Sequence, residues 1–239
     1  MEIFTIIFNT FLYQPLFNIL IFLYKYIPGN DFGIAIIILT ILIKILLHPL
    51  SVKAIKSQKI LSDIQPKIKE IQEKYKDNKE EQTKAIIEFY QKEKINPFSG
   101  CLSILVQVPI LIALYRVFNR GFNSNQMIFL YNFISPPNKI NHFFLKTINL
   151  SEPNTLLAIL AGFLQFFQTK MTVSNIKEKK QKDKKNNFYD AFQQQSFYFF
   201  PFFTFLILLS IPSAIGLYWI TITVFTIIQQ YFILNKISK

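Results

Sequence analysis

The chain has 239 residues, with 26 Lys and Arg against 14 Asp and Glu, a net charge of +12, and 51% of the residues are hydrophobic. The apolar residues come in long blocks, and residues 196–234 contain no charged side chain at all. Because about 20 apolar residues cross the hydrocarbon layer as a helix, the sequence predicts a polytopic membrane protein. A single cysteine, Cys101, excludes a fold held by internal disulfides. With only two histidines, neither a metal site nor a bound cofactor is expected.

The N-terminal segment, residues 1–32, is apolar but interrupted by polar residues and by Pro15. Two interpretations are open. It forms either an amphipathic helix lying in the headgroup plane, which the interruptions favour, or an extra span kinked at Pro15. Glu2 stands where a secretory signal carries Lys or Arg, so we expect the segment to be retained.

The remaining apolar blocks predict an all-α fold with five membrane spans. The segments between them differ strongly in charge: 51–96, 175–195 and 235–239 together hold 19 Lys and Arg, whereas 1–32 and 120–153 hold 4. Since cytoplasmic loops carry the excess of basic residues, the N-terminus is predicted outside and the C-terminus inside. The spans are predicted at residues 33–50, 97–119, 154–174, 196–211 and 212–239, the last ending in a short cytoplasmic tail.

Three connecting segments have their own character. Residues 120–153 are predicted to form an extracytoplasmic loop resting on the membrane, and the Lys-rich residues 175–195 a cytoplasmic loop. Residues 51–96 predict a cytoplasmic helical hairpin, whose first helix Pro66 should break or offset. The expected apolar stripes of the hairpin are Ile64, Ile68, Ile71 and Tyr75 on one side, and Ile86, Ile87 and Tyr90 on the other.

Lys44 is the only charge well inside a span. Its ammonium either snorkels to the headgroups or lies in a buried functional site, and the residue alone leaves the two readings equal. Polar residues at helical spacing in four spans tip the balance, because an unpaired polar group in hydrocarbon is costly. They predict an interior polar cavity or groove; hydrogen bonds that merely join helices are the alternative. The polar residues are Thr40, Lys44 and His48; Ser99, Ser103 and Gln107; Gln165 and Thr169; and Trp219, Thr223, Thr226 and Gln230.

Some functions are disfavoured by what the predicted spans lack. No Asp or Glu lies in any of them, so a transporter coupled to protons or sodium fits poorly. The residue sets used for intramembrane proteolysis are also missing from the sequence.

Short motifs occur in a fixed order between residues 12 and 234, and together they carry a resemblance to a known family. The chain resembles the YidC/Oxa/Alb family of membrane protein insertases, in its bacterial YidC-type short form without a large periplasmic domain. The motifs are Tyr13-Gln14-Pro15-Leu16-Phe17, Lys44 followed by His48-Pro49-Leu50, Gln65-Pro66-Lys67, Asn96-Pro97 leading to Gly100-Cys101, Gln107-Val108-Pro109, Lys170-Met171, Pro212-Ser213, Gly216-Leu217-Tyr218-Trp219 and Ile227-Ile228-Gln229-Gln230.

The resemblance implies five helices around a hydrophilic groove that opens to the cytoplasm and to lipid and is closed outside. Lys44 occupies the position of a basic residue, usually Arg, that marks this groove, and Thr40 lies one turn earlier. Gln107 matches the polar residue of the Gln-x-Pro motif, and Trp219 the aromatic residue across the groove. Lys keeps the charge of Arg but lacks its planar donor fork. The polar residues Gln165 and Ser103 complete the predicted substrate groove.

The implied function is insertion and folding of newly made membrane proteins without covalent chemistry, so the chain is not expected to be an enzyme. Nascent membrane proteins and the lipid bilayer of a bacterial plasma membrane are the expected partners, with the Sec translocon and the ribosome as candidates. The tail is too short for tail-mediated ribosome docking, and direct binding of nucleic acid is not expected. A small-solute channel or carrier, and an assembly factor for membrane complexes, are the alternative functions.

Overall fold

The computed structural model describes residues 2–27, 29–96, 102–119, 128–137, 140–173 and 188–237. These residues are overwhelmingly helical, which confirms the predicted class of fold. The one sheet among them is a two-stranded antiparallel hairpin of β1 (Phe143–Phe144) and β2 (Ile148–Asn149). The helices are α1 (Glu2–Phe8), α2 (Gln14–Tyr26), α3 (Phe32–Leu46), α4 (His48–Asp63), α5 (Gln65–Lys74), α6 (Lys79–Lys92), α7 (Leu102–Asn119), α8 (Thr155–Val173), α9 (Phe188–Leu208) and α10 (Ser213–Ile237).

A π-helical segment, Asn9–Tyr13, joins α1 to α2. Pro15 follows directly and has no amide hydrogen to donate, so a wider turn at this point accommodates the missing bond. The result is a helix over Thr5–Tyr26 that is long and apolar enough to cross a membrane. One face of α2 is buried in the core through Phe17, Leu20 and Ile21. Whether this segment lies on the membrane or spans it stays a prediction.

The first predicted span ends earlier than expected. α3 stops at Leu46 rather than at residue 50, and α4 leaves it at an angle of 68°. Pro49 in the first turn of α4 is the physical reason, because proline disfavours helical backbone at the preceding residue and is accepted in a first turn. Lys44 consequently lies in the last turn of α3, close to the bend.

The cytoplasmic hairpin is formed by α5 and α6. The helix breaks at Ile64, as expected from Pro66, and Asn78 caps the start of α6. The two helices are joined by the side-chain amide of Gln82, which donates to the carbonyl of Gln72 over 2.7 Å. Ile68 is buried between them, but Ile87 is half exposed, so the predicted apolar stripe is wrong at this residue.

The apolar helices differ in length. Among the described residues, Thr5–Tyr26 and Ser213–Lys236 are long and apolar enough to cross a membrane, and α3 with α4 adds a third if that bent pair is one span. The predicted second, third and fourth spans correspond to α7, α8 and α9, whose apolar stretches within the described residues measure 10–17 residues. α9 begins at Phe188, before the predicted start of the fourth span at residue 196. The total of five spans stays a prediction.

α10 is the centre of the bundle. It packs against α3 and α8 along much of its length, and it also touches α4, α7 and α9. Helices that share one neighbour bring their inward side chains to a common axis, which positions the site described next. The most deeply buried core side chains are Phe17, Leu20, Ile21, Ile36, Leu39, Leu114, Ile215 and Tyr218.

Candidate functional site

Lys44 lies inside the protein rather than on its surface. Only 9% of the residue is exposed, and its Nζ is 6.0 Å from the centre of the Phe225 ring on α10. Among the residues the structure describes, no carboxylate lies within 4.0 Å of this ammonium group. The face of the ring is the negative end of its quadrupole, so Phe225 gives the cation a partial, non-ionic partner. Of the two readings of Lys44, the structure shows the buried one.

Thr40 lies one turn further out on α3 and is 1% exposed. Its Oγ1 donates to the carbonyl of Ile36 over 2.7 Å, so the hydroxyl hydrogen is used within its own helix. The lone pairs of that oxygen can still accept from another donor. Thr40 and Lys44 are four residues apart, which puts them on one face of α3 about 6 Å apart along the axis.

Gln107 reaches α10 from the opposite side. Its side-chain amide on α7 donates to the hydroxyl of Tyr218, a residue with no exposed surface. The predicted polar residue of the Gln-x-Pro motif is therefore held by a neighbouring aromatic residue that the sequence analysis left without a role. The Tyr hydroxyl is the only polar group that α10 offers at this level of the chain besides the indole of Trp219.

Trp219 and Gln165 are brought together, as the predicted groove requires. The indole Nε1 of Trp219 donates to Oε1 of Gln165 on α8 over 3.1 Å. One turn further along α8, Thr169 donates to the backbone carbonyl of Gln165 over 2.8 Å. Two consecutive residues of α10 thus bind glutamines on two different helices.

The polar contacts follow one face of α10. Tyr218, Phe225 and Gln229 stand at i, i+7 and i+11, and each meets a different neighbouring helix or level. The side-chain amide nitrogen of Gln229, which is 6% exposed, lies 2.7 Å from Nδ1 of His48 at the start of α4. Seven residues of helix measure about 10 Å, so the contact of Lys44 lies two turns to the C-terminal side of Gln107.

Sequence reasoning missed Tyr218, Phe225 and the pairing of His48 with Gln229. The spacing of Phe225 and Gln229 to Tyr218 was a usable signal, but an aromatic residue in an apolar helix is usually plain core. The side chain of Ser103 lies outside the described part of the structure, as does Ser99 altogether. Within the described residues, no three His, Cys, Asp or Glu side chains meet in a way that could hold a metal ion.

The chain has many relatives of known name. The sequence profile of the 60Kd inner membrane protein family matches residues 22–239. The chain is 34% identical over 226 residues to the membrane protein insertase YidC of Geobacter metallireducens, covering 94% of this chain and 37% of that protein. It is 37% identical over 229 residues to the YidC of Wolinella succinogenes, covering 96% and 38%.

The chain thus spans a little over a third of the length of these two relatives. A third relative, the membrane protein insertase YidC of Fusobacterium nucleatum, is 36% identical over 212 residues, which are 89% of both chains. The similarity covers all four helices that carry the polar contacts around Lys44. The chain belongs to the 60Kd inner membrane protein family, the YidC/Oxa1 family, of bacterial inner membrane proteins.

Proposed function

We propose that this chain is a membrane protein insertase, which inserts newly made membrane proteins and helps them fold. The observation that carries the proposal is the cation of Lys44, buried between α3 and α10 without a carboxylate among the described residues. A buried charge is costly unless something repays it. A transient acidic or polar segment of a client chain is such a partner, and the relatives are named as insertases.

The client's polar segment enters from the cytoplasmic end, where α3 bends and Lys44 lies in the last turn. Attraction between opposite charges is several times stronger in a site of low dielectric than in water. Lys44 therefore lowers the cost of bringing a short acidic segment into the bundle. Once the client's apolar span reaches lipid, its hydrophobic partition drives release.

The neutral polar residues do a different task. Thr40, Gln107, Gln165 and Trp219 offer hydrogen-bond donors and acceptors to peptide groups that lose their water. Gln107 and Gln165 are each already bonded to α10, so a client group that displaces Tyr218 or Trp219 exchanges one hydrogen bond for another. Exchange avoids an unpaired polar group at every stage, which keeps the barrier to crossing low. No covalent step is needed.

The proposal includes an orientation and partners. The N-terminus lies outside and the C-terminus in the cytoplasm, so that the hairpin of α5 and α6 lies at the entry side. The charge difference between the connecting segments supports this orientation. Clients are nascent membrane proteins, and the ribosome and the Sec translocon are proposed partners that deliver them.

Reconstitution of the purified protein in liposomes tests the proposal. A radiolabelled single-span client with an acidic flank is added, and protection of its flank from external protease is measured. We expect protection well above that in empty liposomes, and less for a client whose acidic residues are neutralised. Protection equal to that of empty liposomes contradicts insertion. Saturable solute flux without any client favours a channel, and co-purification with finished complexes without insertion favours an assembly factor.

A further inference from the structure

The outer ends of four helices are joined by one stretch of chain, residues 140–154, which contains β1 and β2. This stretch touches α2, α3 and α10 and runs directly into α8. We call it the outer strap. None of the residues in the polar ladder of α10 belongs to it, so its contacts require a separate explanation.

Asp31 fastens the strap to α3. One carboxylate oxygen, Oδ1, accepts from the amide of Ile34 over 3.0 Å and caps the helix. The other, Oδ2, accepts from the amide of Leu145 over 2.6 Å, at the tip of the hairpin. A single side chain therefore does two things that a shorter polar cap does not: it ends the helix and binds a residue 114 positions away.

The hairpin tip is strained, and its neighbours hold it. Leu145 and Lys146 have φ of 48° and 61°, a conformation that side chains other than Gly and Asn rarely adopt. Each such residue costs on the order of 1 kcal/mol, so the turn persists because the surroundings fix it. The ring of Phe144 lies directly on Gly33, where a Cβ atom would be 2.7 Å from Cβ of Phe144.

A second fastening holds the start of α10. The first amides of this helix donate to carbonyls of the strap: Ser213 to Glu152 over 2.9 Å, and Ala214 to Leu150 over 3.1 Å. The hydroxyl of Ser213 donates to the carbonyl of Asn149 over 2.9 Å. Amides that a helix normally leaves open at its N-terminus are thus satisfied by the strap.

The strap also reaches α2 and α8. The amide of Asn141 donates to the hydroxyl of Tyr24 over 2.8 Å, and Tyr24 is 2% exposed on α2. At the far end of the strap, the side chain of Asn154 caps α8 by accepting from the amide of Leu157 over 3.1 Å. Within the hairpin itself, the amide of Leu150 donates to the carbonyl of His142 over 2.9 Å.

The cytoplasmic ends of the same helices are joined less firmly. α3 ends in a 68° bend, and the polar side-chain contact described there between its continuation α4 and α10 is the one between His48 and Gln229. His48 is itself exposed. The bundle is therefore held at one end by hydrogen bonds to backbone and at the other by a single side-chain pair in the described residues.

We infer that the outer strap closes the outer ends of α2, α3, α8 and α10 as one cooperative unit, with Asp31 as its main fastener, while the cytoplasmic ends separate to admit a client. The direction of client entry rests on the proposed function; the cooperative closure does not. An insertase built in this way opens on one side only, so a client enters without the outer side coming apart.

Hydrogen exchange tests the closure without any client. Asp31→Ser keeps a good helix cap for Ile34 but has only one short oxygen, which cannot also bind Leu145. We expect at least tenfold faster exchange at Leu145 and, by a similar factor, at Leu150 and Ala214, which Asp31 does not touch. The amide of Gln82 in the cytoplasmic hairpin serves as an internal reference and should not change.

The control is Lys146→Gly, which relieves the backbone strain of the turn and keeps every bond of Asp31. Exchange at the same amides should stay the same or slow down. Faster exchange at Leu145 alone overturns the cooperative unit, and so does no change at all. Faster exchange at Gln82 as well shows general unfolding of the Asp31→Ser protein and also counts against a separate strap.

A disulfide tests the role during insertion. The pair Gly33→Cys and Phe144→Cys, with Cys101→Ser, places two Cβ atoms close enough for a bond once the ring is gone, since disulfides need about 3.8 Å between them. With the bond formed, insertion in liposomes should stay within twofold of the reduced protein. Loss of insertion on oxidation, with recovery on reduction, overturns the strap as a fixed end.

The remaining outcomes are also decisive. If the disulfide does not form under oxidising conditions, Phe144 does not rest on Gly33 and the strap is wrong. If the reduced protein itself fails to insert a client that wild-type protein does insert, the outer end takes part in insertion, which again contradicts the inference. If wild-type protein does not insert, the proposed function fails, and the exchange experiment alone decides the strap.

Discussion

The amide of Gln107 on α7 donates a hydrogen bond to the hydroxyl of Tyr218 on α10, a residue with no exposed surface. Tyr218 is followed by Trp219, whose indole donates to Gln165 on α8. Two neighbouring residues of one helix therefore connect it to helices on both sides. The arrangement fixes the rotation of α10 within the bundle, and with it the direction of Phe225 toward Lys44.

Tyr218→Phe removes the acceptor of Gln107 and leaves its amide without that partner. We expect a loss of stability of about 1 kcal/mol, since buried unpaired groups cost about 1–3 kcal/mol and bonds inside membrane proteins average nearer 0.6. The measurement is reversible unfolding in detergent micelles. The double variant Tyr218→Phe with Gln107→Leu should recover most of the loss, because both polar groups are then gone. Simple addition of the two single effects would show that the pair is not coupled.

Lys44→Leu should reduce insertion of clients with acidic flanks about tenfold, while Lys44→Arg should retain it, because both basic residues supply the cation. Clients with neutral flanks should be much less affected. Insertion rates in liposomes measure the effect, and Lys236→Leu, at the exposed end of α10, is the matched control for loss of one lysine. A leucine variant with full activity toward acidic clients would remove the electrostatic role of Lys44.

Photocrosslinking maps the path of the client. A photoreactive amino acid at Thr40, Gln107 or Trp219 should capture a nascent chain whose span is still in transit, since these positions face the interior of the bundle. Phe202, which is 60% exposed on α9, is the control for contact with lipid and should capture little. Crosslinks only from Phe202 would place the path on the outer surface and contradict a polar groove.

Gly33→Ala should destabilise the protein by about 1–3 kcal/mol, which is the usual cost of overpacking. The added Cβ would lie 2.6 Å from Cγ of Phe144, too close for any real contact, whereas alanine gains less than about 1 kcal/mol in helix propensity. Thermal unfolding in detergent measures the difference. Gly216→Ala is the matched control, because its Cβ would lie 3.6 Å from Cβ of Leu157, an ordinary contact. Equal stability of the two variants would contradict the packing of Phe144 on Gly33.

Acid should loosen the outer strap. Burial of His142 against Phe32 lowers the pKa of its imidazole below the usual 6.5, so the folded strap favours the neutral ring. The opened strap binds a proton more readily, and stability is therefore lost as the pH falls through 6.5. Exchange at Leu145 and Leu150, corrected for the intrinsic rate, should be faster at pH 5.5 than at pH 7.5. His142→Phe should abolish the difference, and a difference that persists would point to another group.

The helices and the depth of Lys44 could be predicted because they depend on patterns within the chain. Apolar blocks and charge-free stretches mark α3, α7, α8 and α10, and the prolines at 49 and 66 lie where helices begin anew. The end of α3 at Leu46 shows the limit, since hydropathy continues past the bend that Pro49 imposes.

The partners of the polar side chains could not be predicted in the same way. Gln107 and Tyr218 are 111 residues apart, and nothing local indicates that α7 and α10 adjoin at this level. The outer hairpin was missed for a different reason. Two-residue turns with positive φ usually announce themselves by Asn-Gly or Gly-Gly, whereas this one uses Leu145 and Lys146 and is held by a carboxylate far away in sequence.

The π-helical segment Asn9–Tyr13 carries one residue more per hydrogen-bonded turn than an α-helix. That extra residue offsets everything before it by about 100° around the helix axis, because one α-helical residue covers that angle. The offset brings the ring of Phe8 to 4.8 Å from Cζ of Arg116 on α7, measured to the ring centre. A relative that lacks one residue between positions 9 and 13 can keep α2 packed as it is here, but its first turns face another direction. Length variation at this point therefore changes which surface the start of the chain presents, and leaves the bundle alone.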